Sequence, residues 1–140
     1  MVKVFIIFLL SMNIFSLCAQ TVGTETGLTL PRFVSLKSND SNLRVGSSIN
    51  YPIKLKYIIP NTPVEIIDEY KDWRKIKDYE KNEGWLHKSL LKSKRFAIIN
   101  VPYQEGAQVY DKPKGSVIGK IGKKNIVNIE KCLKDWCHIK

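Results

Sequence analysis

The residues best suited to chemistry are few, and two of them lie at the C-terminal end of the 140-residue chain. Cys132 and Cys137 flank Leu133-Lys134-Asp135-Trp136. On a β-hairpin turning at Lys134-Asp135 the two thiols face each other across the strands. Directly opposed residues have Cβ atoms roughly 4.5–5.5 Å apart, and a disulfide needs about 3.8 Å. Closing so small a loop stabilises by about 2 kcal/mol in the chain-entropy picture. A catalytic thiol is the alternative, but its neighbour His138 points to the opposite face of a strand. A zinc site needs about four ligands, and two cysteines with His87 and His138 make a contrived set. The carboxylate pairs Asp68-Glu69 and Glu80/Glu83 sit among lysines, as on a solvated face. There is no glycine-rich phosphate loop. The residues therefore predict no catalytic constellation, no metal and no cofactor, and a protein that is not an enzyme.

Trp73 is the other candidate. With Ile76 facing a core, Arg74 shares its face and Trp73 points the other way, because side chains alternate along a strand. A partly exposed tryptophan beside cationic groups suits stacking on sugars or proline-rich peptides. The favoured reading is a plug, with twist at the turn folding the ring over one end of the core. Trp85, following Gly84, is expected to pack on the core.

The elements that must position these residues are short strands. Candidate strands begin at Phe33, Leu43, Ile53, Val64, Trp73 and Gly84. Polar or Gly/Pro-containing turns separate them, as in a small barrel or sandwich. No segment sustains a helical period. Residues 20–33, rich in Thr and Gly, read as a flexible leader. One feature recurs: residues 64–77 (VEIIDEYKDWRKIK) and 127–140 (VNIEKCLKDWCHIK) match at seven of fourteen positions at a fixed offset of 63. The shared Lys-Asp-Trp turn argues for two copies of one unit. Farther upstream, Asn42-Leu43-Arg44-Val45 faces Ala107-Gln108-Val109-Tyr110 more loosely.

The N-terminus predicts export. Lys3 precedes an apolar run from Val4 to Leu17, too short for the roughly 20 residues that span a bilayer and suited to a signal peptide. Cleavage is expected after Ala19; an uncleaved anchor and a lipid on Cys18 are the alternatives. Export places Cys132 and Cys137 where disulfides persist. The net charge of +10 attracts anionic surfaces. No run of five Lys/Arg occurs, and an exported protein does not usually meet nucleic acid, so no nucleic-acid partner is expected.

Asn42-Leu43-Arg44-Val45-Gly46, Tyr51-Pro52, Val64-Glu65-Ile66-Ile67, Asp72-Trp73 and Gly84-Trp85-Leu86-His87, with Ser89-Leu90-Leu91 at the exit, resemble the bacterial SH3-like domains of exported proteins. From Leu30 to Leu91 the chain looks like an exported, tandem subgroup of them. The resemblance implies an all-β chain: signal peptide 1–19, leader 20–33, an SH3-like barrel over 34–92 and a second SH3-like repeat over 93–140. That second repeat is truncated, with no closing Gly-Trp strand. The resemblance further implies a binding surface of Arg44, Tyr51, Trp73 and Tyr79, a periplasmic or secreted location, and peptidoglycan or an envelope protein as partner. A module docking an acidic envelope partner is the alternative. An open barrel edge invites pairing, so a homodimer completed by strand exchange is one expected arrangement.

Overall fold

The computed structural model describes residues 21–102 and 105–140; the expected signal peptide lies outside them. The chain is almost entirely β. Its strands are β1 (Thr21–Val22), β2 (Thr29–Leu30), β3 (Arg32–Leu36), β4 (Ser41–Arg44), β5 (Ile53–Tyr57), β6 (Pro63–Tyr70), β7 (Trp73–Lys77) and β8 (Glu83–His87). A 3-10 turn, Lys88–Leu90, leads to β9 (Leu91–Lys92). Then come β10 (Phe96–Ile98), β11 (Ala107–Tyr110), β12 (Val117–Ile121), β13 (Ile126–Leu133) and β14 (Trp136–Ile139).

Seven strands of the first unit form one antiparallel sheet, ordered β5-β4-β8-β7-β6-β3-β9. Strand alternation explains its core. Val64 and Ile66 of β6, Ile76 of β7 and Leu86 of β8 point inward and are buried with Leu36 and Leu43. Gly84 also faces inward. A Cβ there would stand 2.7 Å from the Leu43 side chain and 2.8 Å from the Arg44 carbonyl oxygen, so only glycine lets β8 approach β4 this closely.

Trp85 corrects an expectation. It lies on the half-buried outer face of β8, and Leu86 takes the core position. The period of two decides this: once Gly84 is turned in against Leu43, Leu86 follows it and Trp85 cannot.

The segment 21–30 is a second correction. Where the sequence predicts a flexible leader, β1 and β2 pair as a hairpin whose loop closes on the Glu69 carboxylate. The backbone amides of Glu25 and Thr26 donate to Glu69 Oε2 at 3.1 and 2.9 Å, and the Thr26 hydroxyl donates to Oε1 at 2.8 Å. Arg32 and Arg74 supply counter-charge at 3.1 and 3.5 Å. The order comes from a carboxylate more than forty positions away, which local composition does not reveal.

Glu69 faces inward because of a bulge. The β6–β7 register shifts between Ile66 and Asp68, and one extra residue reverses the alternation. The second unit repeats this feature. Its β13–β14 register shifts between Ile129 and Lys131, 63 positions on. Lys71 and Lys134 both turn the chain with positive φ, 49° and 52°. The pair Glu69↔Arg74 becomes Cys132↔Cys137, and those cysteines form the expected disulfide. Phe96↔Asn128 likewise repeats Phe33↔Glu65.

The two units differ in closure. In the first, β8 is hydrogen-bonded between β4 and β7. In the second, β10-β13-β14 and β11-β12 form separate sheets, and among the described residues no strand joins them. Beyond Leu86 no described residue is fully buried. Stability of the β13–β14 hairpin should therefore lean on its disulfide. Reduction, or the double substitution Cys132→Ser/Cys137→Ser, is expected to cost the hairpin about 2 kcal/mol. This reads as roughly thirtyfold faster amide exchange in β13 and β14; unchanged exchange would refute it.

Candidate binding site

Trp73 begins β7, opposite Tyr70 on one side and His87 on the other. Its ring is half-buried on the outer face and meets the His87 ring edge-on, with centroids 5.5 Å apart and planes 80° apart. This corrects the expectation of a plug: Arg74 and Ile76 take the inner face of β7, and Trp73 forms part of the surface. His87 is fixed from below: its Nδ1 lies 2.7 Å from the Ser89 hydroxyl in the 3-10 turn.

An open cleft of about 610 Å³ lies here, lined by Trp73, His87, Arg44, Asn42, Ile49 and Ser89 among others. Arg44 extends from β4, and its Nη1 donates to the Tyr51 carbonyl at 2.7 Å. That bond holds the loop after β4 against the strand. The Tyr51 ring packs directly on Gly46, where a Cβ would stand 2.6 Å from ring carbons. Behind Trp73 a smaller depression of about 460 Å³ runs between Tyr51 and Tyr70. Tyr51, Tyr70 and Ile49 are 48 %, 48 % and 72 % exposed. Trp73 is thus a ridge between two hollows with apolar rims.

Electrostatics at the turn are local. Asp72 accepts from Lys88 at 2.7 Å, and that hydrogen bond, with the lysine charge, lowers its pKa. Lys71 stands 5.4 Å over the Tyr70 ring, a cation–π distance. Arg74, on the inner face of β7, donates to the Lys71 and Trp73 carbonyls at 2.8 Å each. The residue before Trp73 and the residue after it are therefore both tied down, which fixes the ring's orientation.

Of the four residues expected at the site, Arg44, Tyr51 and Trp73 converge. Tyr79 does not. It lies past the far end of β7, in a turn organised by Asp78, which accepts from the Tyr57 hydroxyl at 2.9 Å and from the amides of Glu80 and Asn82. Burial first, then the hydrogen bond to Asp78, raises the Tyr57 pKa well above the ordinary phenol value. The sequence reading missed His87, Ile49 and Ser89 as site residues. His87 was within reach of it: with Gly84 and Leu86 turned inward, His87 must face out beside Trp73. Among the described residues no group of three or more His, Cys, Asp or Glu side chains stands close enough to hold a metal.

An outward tryptophan on a tight hairpin, beside a closing Gly-Trp strand, is the arrangement to which the family comparison can be set. Residues 37–93 match the bacterial SH3 domain family. A comparison with curated proteins finds no match. The SH3 match runs from the turn before β4 to just past β9, and so contains the whole cleft. Domains of this family are typically binding modules, and an open, aromatic and cationic cleft is suited to that role. In the SH3-like unit β3 completes the sheet from outside the matched span, pairing with both β6 and β9.

Proposed function

We propose that this is an exported, non-catalytic binding protein that holds peptidoglycan or another envelope component in the cleft around Trp73. The cleft carries the reading: a fixed, half-exposed indole with Arg44 and His87 beside it on a rigid sheet. Aromatic faces stack on the apolar faces of sugars, and cationic groups neighbouring them attract acidic substituents. The apolar run from Val4 to Leu17 supports export to the periplasm or beyond. The matched registers of the two hairpins support a tandem SH3-like protein. The charge of +10 favours a second reading, in which a basic surface docks an acidic envelope partner without using the cleft.

Sedimentation with purified peptidoglycan separates the two. Trp73→Ala is expected to weaken binding about thirtyfold, as for a central aromatic contact, with the melting temperature within a few degrees of the parent. Wild-type binding should persist in about 1 M salt, where screening acts over ~3 Å. Binding that ignores Trp73 and vanishes in salt would transfer the function to the charged surface.

A further inference from the structure

We propose that a small pocket on the inner side of β3, β6 and β7 binds a phosphate group through Arg32 and Arg74. The site is separate from the cleft at Trp73 and stands or falls without it.

The pocket has a volume of about 170 Å³ and is lined by Arg32, Val34, Ile66 and Arg74, together with Lys88 and residues 91–93. Strand alternation puts both arginines there. Arg32 lies directly opposite Ile66 in the β3–β6 ladder, and opposed residues share a face. Ile66 is buried in the core, so Arg32 points inward too. Arg74 shares the inner face of β7 with Ile76. Two cations thus stand at the edge of an apolar core, against Val34 and Ile66.

Their charge is only partly matched. Glu69 is the one carboxylate that pairs with them, through Arg32 Nη2 at 3.1 Å and Arg74 Nε at 3.5 Å. Two guanidinium groups against one carboxylate leave one positive charge in excess, where Arg74 is 6 % exposed. A buried charge without a counter-charge is costly. Lys88 has its own partner in Asp72, on the exposed side. Lys92 donates to the neutral Asn61 amide oxygen and so adds charge without adding an acid. Among the described residues no carboxylate lines the pocket.

Hydrogen-bond donors are in excess as well. Arg74 uses Nη1 on the Lys71 and Trp73 carbonyls and Nε on Glu69, which leaves Nη2. Arg32 uses Nη2 on Glu69. Its Nη1 has no partner among the described residues, and its Nε is buried without one. Guanidinium forks with unused donors suit an oxyanion. Phosphate fits better than carboxylate, because it brings more acceptor oxygens and a charge of about −1.5 to −2. The surplus of the arginine pair, with Lys92 beside it, calls for that much. The apolar walls of Val34, Ile66 and Leu91 restrict the pocket to a group of this size.

The test uses the full chain and inorganic phosphate, with ionic strength held constant by sodium chloride. Saturable shifts are expected in the Arg32 and Arg74 Nε–Hε resonances and in the Val34 and Ile66 methyls. Trp73→Ala should bind phosphate as the parent does. Arg32→Lys keeps a cation for Glu69 but removes the fork, and should weaken binding about tenfold. Lys88→Ala changes an exposed side chain outside the buried cluster, and should weaken it about threefold. Acetate should bind at least about tenfold more weakly than phosphate. Glycerol phosphate binding as tightly as the free ion would assign the site to a phosphorylated partner; binding of the free ion alone would assign it to inorganic phosphate. Three results would overturn the proposal: shifts that grow without saturation and spread over the surface lysines, unchanged affinity in both variants, or acetate binding as tightly as phosphate.

Discussion

Replacing Glu69 with alanine is expected to destabilise the SH3-like unit by about 3–5 kcal/mol, the cost of breaking a buried ion pair from one side. The side chain is wholly covered and serves two arginines, two backbone amides and a hydroxyl at once. Without it Arg32 and Arg74 repel each other in a dry place, and the 21–30 hairpin loses its anchor. Urea unfolding at neutral pH measures the first effect. Amide exchange at Thr26 measures the second, and should become as fast as in an open chain. Glu69→Gln keeps one acceptor oxygen and should fall between parent and alanine. Acid provides an independent check. Burial raises the Glu69 pKa, but the hydrogen bonds from Thr26, Arg32 and the Glu25 amide outweigh it, and the net shift is downward. A carboxylate with a depressed folded pKa contributes its full stabilisation above its unfolded value, near 4.5. It loses that contribution as pH falls through the folded value. The parent should therefore lose stability below about pH 4.5 more steeply than Glu69→Gln. Parallel acid profiles, or an alanine variant as stable as the parent, would refute this account.

The second unit shows what replaces this ion pair when no hairpin covers it. The columns holding Glu69 and Arg74 hold Cys132 and Cys137, with the same bulge upstream and the same turn between them. A buried pair needs satisfying partners, and the first unit has the Thr26 loop for that. A disulfide needs none, and so suits a hairpin whose inner face is open. These columns are among the seven mismatches in the 64–77 and 127–140 alignment, where the sequence comparison recorded only difference. Their equivalence depends on the bulge, which has no residue signature at Ile66-Ile67-Asp68 or Ile129-Glu130-Lys131.

Other features were legible. Turn residues and alternation located the strands and the cross-strand cysteines, because both depend on neighbours a few positions apart. The convergence of Arg44, Tyr51 and Trp73 was legible through resemblance. Tyr79 was misplaced because its position depends on the length of β7 and on the turn built around Asp78. The leader was misread because its order comes from Glu69. The offset of 63 also extends further back than the hairpins, pairing Arg32-Phe33 with Arg95-Phe96. Structure makes that plain, since Phe96 and Phe33 take the same place beside β13 and β6.

The contrast between Leu86 and Trp85 puts the closing strand itself to the test. By size alone Trp85 is the residue to expect in a core, and its loss should be ruinous. The sheet reverses that order. Leu86 is fully buried and sits where β8 joins β4 and β7, so Leu86→Ala removes a packed side chain and leaves a cavity. Such changes cost about 2–5 kcal/mol. Trp85 lies on the outer face, where truncation should cost about 1 kcal/mol or less. Chemical denaturation of the two variants should show midpoints well apart, with Leu86→Ala the lower. The Leu86 variant should also speed exchange at Arg44 and Lys75, which flank Trp85 in the two ladders, because β8 is the strand that holds two hairpins as one sheet. Equal destabilisation by both variants would mean that the indole packs inward, and would undo the alternation that places His87 beside Trp73 in the cleft. The binding site and the core thus rest on one choice of phase along five residues: glycine and leucine inward, tryptophan and histidine out.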